Sequence, residues 1–177
     1  KVLKPGYIIE NSGSSQSQTE AFSGLVIALI LGLVVAYMIL ASQFNSFLDP
    51  VTILMALPFS IGGAFMGLLI TGQTLNIYSM IGVLLLMGIV KKNSILLVEF
   101  ANQVRDQKSI SAIEAMKLAG AVRLRPILMT SFATVAGAIP TAIATGEGAE
   151  LTRSMAITLI SGVLVSTFLT LVVIPAI

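Results

Sequence analysis

Apolar residues in this chain do not alternate and do not mark one helical face; they come in long blocks separated by short polar stretches. Five blocks are visible: about Phe22–Ala41, Val51–Thr71, Ile77–Phe100, Pro126–Thr145 and Ser154–Ile177. Each holds about 20 residues or more, enough at 1.5 Å per residue to cross a hydrocarbon core of about 30 Å as a helix. Only helices of this kind, or closed barrels, satisfy their own backbone inside lipid. The pattern therefore predicts an all-α membrane protein with five transmembrane helices. Pro58 in the second block and Pro140 in the fourth do not oppose this, because neighbouring groups in membrane bundles re-satisfy the freed carbonyls.

The polar stretches complete the outline. Residues 1–20 are rich in Ser, Gly and Gln and lack the basic start of a signal peptide. They read as the end of a preceding extramembrane region, and 21–177 as the transmembrane domain. The chain stops at Ile177 within an apolar run, so both ends are expected to continue in a longer protein. Ser42–Pro50 and Gly72–Asn76 are tight turns, and Gly146–Arg153 is a Gly-rich turn carrying Glu147 and Glu150. The one long connection is Ala101–Arg125. Within it Ser111-Ala112-Ile113-Glu114 is a capping-box pattern. It predicts a short amphipathic surface helix over about 111–121, with Ile113 and Met116 on one side and Glu114 and Lys117 on another.

Composition sharpens the class. The 177 residues are 56% hydrophobic and only 10% charged, with neither Cys nor His; a soluble fold has roughly 25% charged residues. Disulfides, thiolate nucleophiles, His-based triads and zinc centres are excluded. No GxxxxGK[ST] or SxxK pattern occurs, so a catalytic centre inside the chain is not expected. Seven of the ten basic residues lie between Lys91 and Arg125. That clustering follows the positive-inside rule rather than a nucleic-acid patch, and it places the connection between spans three and four in the cytoplasm. The N-terminal end is then outside and the C-terminal end inside.

Span three carries the candidate chemistry. The run Ile77–Val90 gives only about 21 Å of helix, too little to cross. Continuing through Ser94–Phe100 completes the crossing but buries Lys91, Lys92 and Asn93, at about 2.5–3.5 kcal/mol per lysine. The alternative is a helix that ends at Val90, with lysines snorkelling to the interface. The two lysines lie about 100° apart on a helix. Lys91 shares an apolar stripe with Leu84, Met87, Ile95 and Val98, and Lys92 a more polar one with Gly88 and Glu99. Lys92 is therefore expected to face the bundle interior and Lys91 the lipid. A buried ammonium needs a carboxylate or must lose its proton. Glu99, the only carboxylate in the five spans, lies about 10 Å along the axis from Lys92. An acidic partner must come from elsewhere.

Other positions carry weaker signals. Arg123 and Arg125 sit at the start of span four, where interfacial anchoring is the plain reading. Thr130 is one to two turns deeper, where hydroxyls usually bond their own backbone. Gly63 and Gly67 form a GxxxG that permits close helix packing. Gly88, Gly137 and Pro140 are further packing or bending positions.

Three strings together resemble the C-terminal membrane half of resistance–nodulation–division (RND) efflux transporters, in particular the hydrophobe/amphiphile efflux branch. They are Gly88–Phe100 (GIVKKNSILLVEF), Arg123–Ser131 (RLRPILMTS) and Tyr37–Ser46. The resemblance implies spans eight to twelve of such a transporter, which is about a sixth of it. It implies drug/proton antiport across a bacterial inner membrane, driven by proton-motive force without a cofactor. Implied partners are the rest of the transporter chain, further copies in a homotrimer, a periplasmic adaptor, an outer-membrane channel and the lipid bilayer. It assigns a proton relay to Lys92, Arg123 and Thr130, with Asn93, Lys91 and Glu99 in support, and places an Asp pair facing Lys92 on the fourth span. Lys91 stands where many relatives have a small residue. Two other readings remain: a structural or assembly module of the same superfamily, and an ion channel, for which no polar stripe lining several spans is present.

Overall fold

A computed structural model describes residues 14–173, with side chains over 16–170. Six helices follow one another: α1 (Ser14–Phe44), α2 (Leu48–Leu54), α3 (Ala56–Thr71), α4 (Ile77–Lys108), α5 (Ala112–Ala142) and α6 (Ala149–Val173). They make five stretches long and apolar enough to cross a membrane, with α2 and α3 sharing one of them. The all-helical fold and the five apolar helices agree with the sequence pattern.

Two boundaries differ from expectation. Helix α1 begins at Ser14 rather than near Phe22, so the polar segment Ser14–Glu20 is its first two turns, with Gln16 Nε2 donating to Glu20 Oε1 at 3.1 Å. The rest of the expected N-terminal region, 1–13, and the last four residues of the expected fifth span lie outside the described residues. The separate surface helix over 111–121 is corrected: α5 runs unbroken from Ala112 through Pro126 to Ala142. Ser111 still caps it, accepting from the Glu114 N–H at 3.3 Å. Once the chain is helical at Ala112, only Gly120, a mild cost, stands before Pro126, and proline is tolerated there as in other membrane helices.

Span two, by contrast, does break. Proline clashes with the carbonyl four residues earlier and offers it no N–H. For Pro58 that carbonyl is Leu54, where α2 ends; Met55 still bonds Val51 O at 2.9 Å before α3 begins. Helix α3 then ends on Gly72, whose φ of 66° is left-handed, with Gln73 N–H donating to Leu68 O at 2.9 Å. Asn76 opens α4 with a reciprocal capping box to Ser79.

Helix α6 is the hub, packed against α3, α4 and α5. Close approach on α3 comes at Gly63 and Gly67, which face Val165 and Ser161; a Cβ on either would overlap those side chains. On α4 the Gly82 backbone meets Met155 O and Thr158, and on α6 Gly162 receives Leu86. Helix α6 therefore runs antiparallel to α3 and parallel to α4. Gly88 and Gly137 do not serve as helix-packing positions among the described residues: a Cβ at either would meet nothing within 4 Å. Both are exposed, because the face that carries them is not covered by these five spans. Two apolar cores result. One joins α1, α2, α4 and α5 around Leu40, Ile53, Leu97 and Ala119, and the other joins α3, α4 and α6 around Ala64, Leu86 and Val163.

Candidate functional site

Helix α4 has 32 residues and Lys92 is its sixteenth. The helix does not end at Val90. It carries Lys91, Lys92 and Asn93 through its middle, about 22 Å of axis from either end. If α4 crosses a bilayer, these groups lie near its centre.

Within these five spans the two lysines lie on different faces of α4. Lys92 is exposed, on one stripe with the exposed residues Leu85, Gly88, Leu96 and Glu99. Lys91 is half-buried, on the side where Met87 and Val98 pack into the two cores. Helical periodicity sorts the residues into stripes correctly, but which stripe meets a neighbour depends on where α1, α3 and α6 dock. Asn93 and Ser94 turn inward and are buried, and the Ser94 hydroxyl has no hydrogen-bond partner among the described residues.

Helix α5 runs antiparallel beside α4. The guanidinium carbon of Arg123 lies 4.6 Å from the centroid of the Phe100 ring. Seven residues back from Phe100 is Asn93; seven residues forward from Arg123 is Thr130. In an antiparallel pair both steps move about 10 Å the same way, so Lys92 and Thr130 occupy the same level. Farther along, Leu85, Thr134, Gly137 and Thr141 line one cleft of about 230 Å³ with Met155 and Leu159. Leu85 is two turns from Lys92 on its own stripe, and Thr134 one turn from Thr130. Lys92 and Thr130 thus look onto the same open side of the α4–α5 pair. The Thr130 hydroxyl donates to Ile127 O at 3.0 Å, and the Thr130 carbonyl accepts from Thr134 Oγ1 at 2.8 Å.

The other predicted residues fall elsewhere. Glu99 is exposed and borders a polar recess of about 590 Å³ with Asp49, Arg105 and Asp106, where Asn102 Nδ2 donates to Asp49 Oδ2 at 3.3 Å. It forms no ion pair with Lys92, and Lys92 has no ion pair among the described residues. Pro140 is exposed in the last turn of α5. No group of three or more His, Cys, Asp or Glu side chains among the described residues could hold a metal ion.

Sequence reasoning missed two polar ties. Ser131 and Thr167 join α5 to α6 by a buried hydroxyl–hydroxyl bond of 2.7 Å. Asn76 Nδ2 donates to Ser154 Oγ at 3.2 Å, and Ser154 Oγ lies 2.9 Å from Gln73 Oε1. Nothing in linear spacing pairs residues so far apart.

A model of the AcrB/AcrD/AcrF family matches residues 1–177. The chain belongs to that family. Its five long apolar helices fit the transmembrane bundle of that resistance–nodulation–division (RND) family. Among solved structures, two crystal forms of a heavy metal efflux pump resemble it. In crystal form II the identity is 30% and the TM-score 0.82, covering 97% of this chain and 18% of that one. In crystal form I the identity is 32% and the TM-score 0.80, covering 93% and 16%. The chain therefore spans less than a fifth of these relatives.

Proposed function

We propose that this chain is the proton-coupling membrane segment of a proton-driven efflux transporter. The observation that carries the reading is Lys92. A cation sits at the midpoint of a long apolar helix, on an open face level with Thr130, without a carboxylate among the described residues. Such a charge is expensive in lipid and calls for an acidic partner. An Asp pair on another span of the full transporter would supply it. While those carboxylates are ionised they hold Lys92 across the open face. Protonation removes the attraction, and Lys92 relaxes toward Thr130. The difference between the two positions biases the arrangement of helices, and so the shape of the extramembrane part. Arg123 keeps a permanent positive charge about 10 Å along the same helix pair.

On this reading the transporter sits in a bacterial inner membrane as a homotrimer, working with a periplasmic adaptor and an outer-membrane channel. The basic α4–α5 connection faces the cytoplasm and the start of α1 the periplasm. Amphiphilic drugs are the substrate class implied by the sequence strings. A second class, metal ions, is favoured by the heavy metal efflux pump that the fold resembles.

The test is Lys92→Ala in the full-length transporter, assayed for efflux of an amphiphilic cationic dye and of Zn²⁺. We expect efflux of the true substrate to vanish while the amount in the membrane is unchanged. Unimpaired efflux would sink the proposal and favour a structural module. Which of the two probes wild-type protein exports decides the substrate class.

A further inference from the structure

Arg123 occupies a place where a charge is not expected. The buried residues of α5 include Ala115, Ala119, Ile127 and Ser131, a series with a spacing of four in which Arg123 is the missing member. Ala119 and Ile127, one turn to either side, belong to the apolar core shared with α4. Arg123 therefore starts in the α4–α5 seam and has to leave it. Arg125, two residues on, is exposed and suits the anchoring role that either arginine could have taken by sequence. The Arg123 Nε is buried and has no hydrogen-bond acceptor among the described residues. Its guanidinium carbon lies over the face of the Phe100 ring, 4.6 Å from the centroid. Phe100 is itself anchored, packed against the same core.

We infer that Phe100 is a positioning residue for Arg123: its ring face fixes the plane of the guanidinium, and so the direction in which the remaining N–H groups leave the seam. This deepens the coupling reading and rests on it. A guanidinium is planar and stacks on aromatic faces, so a ring fixes its orientation; a lysine ammonium has no plane for a ring to fix. The attraction of a cation to a ring quadrupole grows when the pair is out of water. With Nε committed to the seam, the outer nitrogens are the only ones able to meet a group from another span. Loss of the ring leaves Arg123 its charge but not its orientation.

The experiment uses the full-length transporter in proteoliposomes with an imposed proton gradient, with maximal rate and half-saturating substrate concentration measured separately. Phe100→Leu keeps apolar bulk and removes the ring face. It is expected to lower the maximal rate about 3- to 20-fold without changing half-saturation. Phe100→Tyr keeps the face and is expected to retain the wild-type rate. Arg123→Lys, with the ring intact, is expected to reproduce the Phe100→Leu loss, and the double variant to be no worse than either single one. Should Phe100→Leu fail to reach the membrane, Phe100→Met, which also lacks the ring face, takes its place in the same comparison. A wild-type rate in Arg123→Lys, or additive losses in the double variant, would overturn the positioning role. If Lys92→Ala still transports normally, the coupling reading fails instead; if Lys92→Ala is inactive and these variants are normal, only the present inference fails.

Discussion

The hydroxyls of Ser131 and Thr167 lie 2.7 Å apart in the buried seam between α5 and α6. Thr167 Oγ1 also lies 2.7 Å from Val163 O, to which it donates its one proton, so Ser131 is the donor between the two hydroxyls. This bond is the polar tie next to Thr130, and it holds α5 at a fixed height on the hub helix. Ser131→Ala removes the donor and leaves Thr167 satisfied by its own turn. The expected loss is about 0.6 kcal/mol and at most about 1.7, the range for interhelical bonds in membrane proteins. Thermal unfolding of the purified full-length protein in detergent measures it.

The α3–α6 contact separates two kinds of glycine. At Gly67 an added Cβ would overlap Ser161, close to its backbone, so the helices would have to move apart. Gly67→Val is expected to destabilise by about 1–3 kcal/mol, as overpacking does. Gly88→Ala, with open space around it, is expected to stay within about 0.5 kcal/mol of wild type. The same melting assay compares them.

The two lysines should differ. Lys91 is half-buried on the packed side of α4, away from the open face that carries Lys92 and Thr130. Lys91→Ala is expected to keep most transport activity under conditions where Lys92→Ala has none. Side-by-side efflux assays at matched expression test this, and equal loss in both would contradict the assignment of coupling to Lys92.

The break in span two comes from one residue. Pro58→Ala restores an N–H opposite the Leu54 carbonyl, where α2 stops. The two helices are expected to join. Hydrogen exchange at Met55–Phe59 reports it: slower exchange in the variant is the expected outcome, and unchanged exchange would show that packing, not proline, sets the break.

Asn76 does two jobs, capping α4 and donating to Ser154 on α6. Asn76→Ala is expected to cost about 1–2 kcal/mol, at the upper end for a cap because the cross-helix bond is lost as well. Asn76→Asp, which keeps the cap acceptor but cannot donate an amide proton, should recover the cap share only. Chemical or thermal denaturation of the full-length protein resolves the two contributions.

The class of the molecule was legible from the sequence for a direct reason. A span in lipid must be long, apolar and self-bonded, and those demands act on every residue of a block, so five blocks announced five helices. Charge economy was legible too: a lysine pair inside a span is costly wherever neighbours dock, and so Lys92 could be singled out before any packing was known. The caps Ser111 and Asn76–Ser79 act within three residues, and the Ser111 cap was visible as a local pattern. What the linear order withheld was everything set by a second helix. The stripes of α4 were correctly sorted, yet only the docking of α1, α3 and α6 decided that Lys91 is covered and Lys92 open. Gly63 and Gly88 both stand among apolar neighbours, but Val165 faces one and nothing faces the other. Arg123 stood out only as a basic residue at a span start; its seam position, and Phe100 beneath it, came from the antiparallel register of α4 and α5. Sequence determined that the chain enters the membrane and which charges it carries there. Tertiary structure decided which of those charges meet a neighbour, because contact between helices depends on rotation and height, which hydrophobic period alone does not encode.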